Sequence, residues 1–214
     1  MILEAKDLRK SFGDAHVLRG ISLKIGKGES IAIMGASGEG KTTLLHILGT
    51  LETHDSGALH ILGKEPINAP LIRSQHFGFI FQSHNLLEDF SVLENILMPI
   101  RIARKNIKLY LPKAKELLKR VGLSKHENSS AKVLSGGEKQ RAAIARALIN
   151  DPDIILADEP TGNLDNQNSK VIYELLMGLK DLGKSIIIAT HDENLSALAD
   201  RLYTLRDGTL KEMK

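Results

Sequence analysis

The run Gly35-Ala36-Ser37-Gly38-Glu39-Gly40-Lys41-Thr42, followed by Thr43, constrains this chain more than any other stretch. Its spacing is G-x-x-x-x-G-K-[ST]. Glycines at these places let the backbone curl so that its N–H groups converge on phosphate oxygens. The helix that follows turns its positive end toward the same anion. Lys41 supplies a mobile charge for β- and γ-phosphates, and the Thr42 hydroxyl is suited to ligate Mg2+. The motif needs a strand before it and a helix after it. The apolar run Ser30–Met34 precedes it, and Leu44, Leu45, Ile47 and Leu48 follow at helical spacing. Glu39 stands apart. An acid inside an anion-binding loop repels its ligand, so its side chain is expected to face solvent or a partner.

The rest of the chain is consistent with an α/β fold. Val17, Leu18, Ile21, Leu23 and Ile25 partly alternate, and residues 58–62 form a second short run between Gly57 and Gly63. Short runs with glycine punctuation predict an N-terminal antiparallel subsheet. Residues 153–157 and 185–190 read as fully buried strands. Between them Val171, Ile172, Leu175, Leu176 and Leu179 form a helical stripe. Buried strands alternating with helices predict a mainly parallel sheet covered on both faces. A helix-rich stretch, about 83–150, interrupts the alternation and is expected to be an inserted helical subdomain. It includes helices over residues 113–121 and 138–149. One domain spanning 1–214 is expected, with its core in 1–82 and 151–214.

Two further constellations carry chemistry. Asp158 and Glu159 follow a buried strand, whose C-terminal end opens on the ligand crevice of a parallel sheet. Asp158 is placed to hold Mg2+, through water, and Glu159 to polarise an attacking water as general base. His191 follows the strand 185–190 and is a candidate contact to the γ-phosphate. Either pair alone is more often structural; beside a phosphate loop the functional reading prevails.

Composition excludes other chemistries. With no cysteine, disulfides and thiolate chemistry are ruled out. No apolar run is long enough to span a bilayer. The start, MILEAKDLRK, does not have the pattern of a signal peptide. A net charge of +3 gives no argument for nucleic acid. Its distribution is uneven: residues 101–120 hold eight Lys or Arg and one acid, Glu116. That segment is either a solvated helical face or a surface near anionic headgroups.

Leu134-Ser135-Gly136-Gly137-Glu138-Lys139-Gln140-Arg141 narrows the class. It resembles the LSGGQ-type signature of ABC ATPases, with Glu138 where many members carry Gln. Ser-Gly-Gly opening a helix reads as a second anion site, with a hydroxyl donor and free N–H groups. The resemblance covers nearly the whole chain, with the motifs in the family's order. It implies a P-loop NTPase (RecA-like) core and ATP hydrolysis with Mg2+. It also implies a head-to-tail homodimer, in which Ser135, Gly136, Gly137 and Glu138 of one copy close on ATP held by the other. Phe12 matches the aromatic that stacks on adenine, and Gln82 the glutamine that senses Mg2+ and the γ-phosphate. Asp165 matches the loop joining the two sites, and His191 the switch histidine. Residues 157–165 are similar to a group that includes a lipoprotein-release branch, and residues 79–90, with Glu94-Asn95 and Met98-Pro99, are most similar to that branch. That branch lies in a group that also holds macrolide exporters and cell-division ATPases. It implies a peripheral subunit on the cytoplasmic face of the inner membrane, bound to two membrane-spanning permease subunits. Residues 82–99 would then accept a cytoplasmic helix of such a subunit.

Overall fold

The computed structural model describes residues 1–213. Two sheets form it. In the first, β1 (Leu3–Phe12), β2 (Ala15–Ile25) and β4 (Ser56–Ile61) pair antiparallel in the order β2-β1-β4. In the second, β3 (Ser30–Met34), β5 (Phe77–Ile80), β6 (Ile154–Asp158), β7 (Ser185–Thr190), β8 (Arg201–Arg206) and β9 (Thr209–Glu212) run in the order β5-β6-β7-β3-β8-β9. All neighbours in it are parallel except β8 and β9. This is the mainly parallel sheet with an antiparallel subsheet that the patterns predict; the antiparallel β9 was not foreseen.

The apolar runs are buried on both faces because each alternate side chain enters a different core. Ile155, Ala157, Ile186 and Ile188 join one cluster, and Ile154, Leu156, Ile187 and Ala189 the other. The first cluster also holds residues of α3 (Val92–Ile102), α4 (Ile107–Arg120), α5 (Gly136–Leu148) and α6 (Asn166–Asp181). The second takes α1 (Lys41–Leu48) and the inner face of the antiparallel sheet. Burial of about 25 cal/mol per Å2 of apolar surface on each side holds the layers together. Two short helices, α2 (Ala69–His76) and α7 (Glu193–Ala197), complete the chain.

Strand order positions the site. The chain leaves β3 through the glycine loop into α1, while β7 pairs with β3 and β6 with β7, all in parallel. The C-terminal ends of β3, β6 and β7 therefore open on one crevice, where an open α/β sheet binds ligands. No described helix is long and apolar enough to cross a membrane.

Candidate active site

The glycine loop ends at Gly40, the N-cap of α1, with φ 95°. That left-handed backbone suits glycine, and a Cβ there would meet Val17 Cγ1 at 2.7 Å. No side chain caps α1 and its first turn holds no acid. Its opening N–H groups thus remain available to an anion. Lys41 is buried, and its ammonium donates to the carbonyls of Gly35 at 2.7 Å and Ala36 at 3.1 Å. The Glu39 carboxylate turns away from the loop and accepts the Asp207 N–H at 2.7 Å, on the turn between β8 and β9. It is half-buried against that turn rather than open to solvent.

The carboxylates arrive from β6. The Thr42 hydroxyl donates to Asp158 Oδ2 at 2.7 Å. Asp158 Oδ1 is buried without a hydrogen-bond partner. Burial pushes the Asp158 carboxyl above its usual range, and the neighbouring Glu159 adds to this against the Thr42 bond. Glu159 has a left-handed backbone, φ 44°, which aims its side chain across the crevice. Its carboxylate lies 3.4 Å from the Lys41 ammonium and 2.9 Å from His191 Nδ1. It also accepts the His191 backbone N–H at 3.3 Å. One acid thus bridges the phosphate loop and the strand end of β7.

A cavity of about 570 Å3 collects these groups. Ser37, Gly38, Gly40, Lys41, Thr42 and Thr43 line it from the loop, Phe12 and Val17 from the antiparallel sheet, and Gln82, Glu159 and His191 from the far side. Phe12 is half exposed, with Lys10 Nζ 5.0 Å from its ring centroid. Gln82 follows β5, and its carbonyl accepts from Asn163 at 3.4 Å. Val17 carried no motif and was missed by sequence reasoning. Only the packing of β2 beside the phosphate loop brings it to the cavity wall.

Ser135, Gly136, Gly137 and Glu138 do not line this cavity. They open α5 in a reciprocal cap. Glu138 accepts the Ser135 N–H at 2.8 Å and the Ser135 hydroxyl at 2.7 Å, while Ser135 Oγ accepts the Glu138 N–H at 3.4 Å. The Ser135 hydroxyl, expected as a donor to phosphate, is therefore already engaged, and an arriving phosphate must displace Glu138 to use it. His126 Nε2 lies 3.3 Å from the other Glu138 oxygen. Gly137 packs on Asn168, which is held by Asp165, the N-cap of α6, whose carboxylate accepts the Asn168 N–H at 2.8 Å. The signature and the Asp165 loop are thus neighbours within one chain, away from its own phosphate loop.

A second groove, about 430 Å3, lies on another face. Phe77, Phe79 and Phe81 line it; the ring centroids of Phe79 and Phe81 are 5.8 Å apart and nearly parallel. Pro99 and Ile102 of α3 form another wall. The half-buried Arg146 guanidinium, also at this groove, donates to the His84 carbonyl at 2.6 Å and to that of Asn85. It thereby holds two consecutive left-handed residues, His84 at φ 63° and Asn85 at φ 50°, with Ser83 between them and Gln82.

A glycine loop over an uncapped helix, with a paired threonine and aspartate and a glutamate at the next strand end, defines an ATPase of the phosphate-loop class. The family model for ABC transporters matches residues 18–162, and the chain belongs to that family. Lipoprotein-releasing system ATP-binding protein LolD of Porphyromonas gingivalis is 46% identical over 98% of this chain and 99% of its own. The protein of the same name from Bacteroides thetaiotaomicron is 44% identical over 99% and 100%. Among solved structures, the dimeric bacterial ABC transporter cassette MJ0796 superposes with TM-score 0.91 at 35% identity, covering 99% of this chain and 98% of that one. A post-hydrolysis dimer of MJ0796 bound to ADP and Pi gives TM-score 0.88 at 33% identity, with the same coverage.

Proposed function

We propose that this ATPase drives release of lipoproteins from the inner membrane as the peripheral, cytoplasmic-face subunit of a complex with two membrane-spanning permeases of the LolC/LolE kind. The full-length similarity to proteins named for that activity carries the reading. The aromatic groove beside Gln82 supports it, since an apolar trough with few polar groups accepts one amphipathic helix of a partner.

In this reading Phe12 stacks on the adenine, and the loop 35–43 cradles the phosphates with its N–H groups. Lys41 leaves its two carbonyl partners to meet the β- and γ-phosphates. The residues fit Mg2+: Asp158 presents a buried, unpartnered oxygen beside the Thr42 hydroxyl, and Gln82 lines the same cavity. Mg2+ held by Thr42, Gln82 and Asp158 would neutralise charge on the β- and γ-phosphates. Glu159 orients the attacking water and takes its proton. His191, hydrogen-bonded to Glu159, contacts the γ-phosphate. Ser135, Gly136, Gly137 and Glu138 of a second copy close the site across a homodimer, with Asp165 at the joint. Closure requires ATP, because each copy alone has half the phosphate contacts. The change reaches the permeases through Gln82, which lines the cavity, and the segment 82–99 that follows it to the aromatic groove.

Affinity capture of this chain from its own cell membranes, with depletion in parallel, tests the function. Two related membrane subunits with large periplasmic domains, and lipoproteins retained in the inner membrane on depletion, are the expected outcome. One division-type partner with a cell-separation defect would overturn lipoprotein release and leave the ATPase standing.

A further inference from the structure

We propose that the turn between α3 and α4, together with the outer face of α4, is a contact surface for anionic lipid headgroups. On α4, Tyr110, Leu111, Ala114, Leu117 and Leu118 face the core. The opposite arc is exposed and carries Lys108, Lys119 and Arg120, while Arg104 projects from the turn. These four cations make no ion pair among the described residues. Their neighbours do: Arg101 pairs with Glu94 at 3.6 Å and Lys115 with Glu127 at 2.9 Å. Left-handed backbone at Arg104, φ 53°, reverses the chain there and keeps its side chain exposed. The acids of the chain are thus spent elsewhere, and on this arc Glu116 is the one acid against the cations.

Apolar groups stand among the charges. Ile102 is 76% exposed and Leu109 75%, unusual for aliphatic side chains that could have packed inward. Cations mixed with exposed aliphatics suit an anionic membrane interface, where the charges meet headgroups and the alkyl groups enter the acyl boundary. A surface for single-stranded nucleic acid would offer aromatic faces for stacking. The aromatic of this segment, Tyr110, instead packs against the core, with Lys105 Nζ 5.6 Å from its ring.

Location selects the same partner. Ile102 and Asn150 line the aromatic groove, and Lys105 donates to Asn150 Oδ1 at 3.0 Å. The basic turn is therefore the rim of that groove. The inference rests on the proposed function in one respect: a permease helix seated in the groove turns this rim toward the bilayer.

Flotation of the full chain with vesicles tests it without any permease. Phosphatidylglycerol mixed into phosphatidylcholine is compared with phosphatidylcholine alone, at low and raised salt. Binding to the anionic vesicles only, weakened by salt, is expected. Each neutralised cation should weaken it about fivefold. The triple variant Arg104→Gln, Lys108→Gln, Lys119→Gln should then lose about a hundredfold, with ATPase activity and melting temperature unchanged. Leu109→Ser should weaken binding in the anionic vesicles with the salt dependence retained. Absence of binding, equal binding by the triple variant, or displacement from vesicles by a duplex nucleic acid that binds more tightly would each overturn the inference. Vesicle binding that persists while membrane capture finds no permease would refute the proposed function and leave the lipid surface intact.

Discussion

Asp158→Asn should make the ligand-free protein more stable while removing its response to Mg2+. The Asp158 carboxylate is a buried charge with one oxygen bound to Thr42 and the other unpartnered. An unsatisfied buried polar atom costs about 1–3 kcal/mol, more when charged. The amide keeps an oxygen for Thr42 and leaves a neutral group where the orphan oxygen was, so about 1 kcal/mol should be regained. For a chain of this size that is a rise of about 2–4 °C in melting temperature. The sign follows from the raised carboxyl pKa. Folding favours the protonated form, so the advantage of the variant exists at neutral pH. It shrinks as pH falls through the folded-state value and vanishes below the ordinary 3.8. Thermal melts of both proteins across pH, with ATP in EDTA and with ATP in excess Mg2+, give both readouts. Wild type should gain stability from Mg2+ beyond that from ATP alone, and the variant should not. A ligand-free variant that melts at or below wild type would refute the unpaired buried charge. A full Mg2+ increment in the variant would refute Asp158 as part of the metal site.

Glu159→Gln should retain ATP and lower turnover at least about a hundredfold, the scale of general-base catalysis, while an ATP-bound dimer accumulates in size-exclusion chromatography; near wild-type hydrolysis would remove Glu159 as the base. Gly137→Ala drives a Cβ to 2.6 Å from Asn168 Cγ and should cost about 1–3 kcal/mol in denaturant unfolding, with hydrolysis reduced because the signature moves from α6. Gly49→Ala meets the Phe79 ring and Leu156 Cδ1 at 2.6 Å inside the core and should cost at least as much, leaving a folded fraction with normal ATP affinity. The Ser135 bonds hold the Glu138 carboxyl below its ordinary 4.5. Its cap therefore contributes above that pH and is lost as pH falls through the folded value, by less than about 1 kcal/mol; Glu138→Gln should flatten that acid limb in melts.

The local sequence determined the strands and loops that carry the chemistry. Residues 30–34, 154–158 and 185–190 are short, apolar in all but end residues and bounded by turn residues. Chains of that kind have no stable place except the centre of a parallel sheet, where both faces are covered. The spacing of Gly35 to Thr42 dictates its own backbone, because glycines alone adopt the left-handed turns at residues 38 and 40 without strain. The Asp158–Glu159 pair and His191 follow from the same rule: Asp158 ends one such strand, and Glu159 and His191 are the first residues past two of them. Tertiary structure decided everything that depends on which strands are neighbours. That Glu159 lies between Lys41 and His191 follows from the order β6-β7-β3, which periodicity does not encode. Val17 reaches the cavity only because a separate antiparallel sheet packs over it. The engaged Ser135 hydroxyl needed Glu138 in a particular rotamer, and the meeting of Gly137 with Asn168 needed α5 to pack on α6. A residue's own type sets its conformation and its chemistry. Its partners are set by contacts between segments far apart in the chain, and these exist only once both apolar cores have formed.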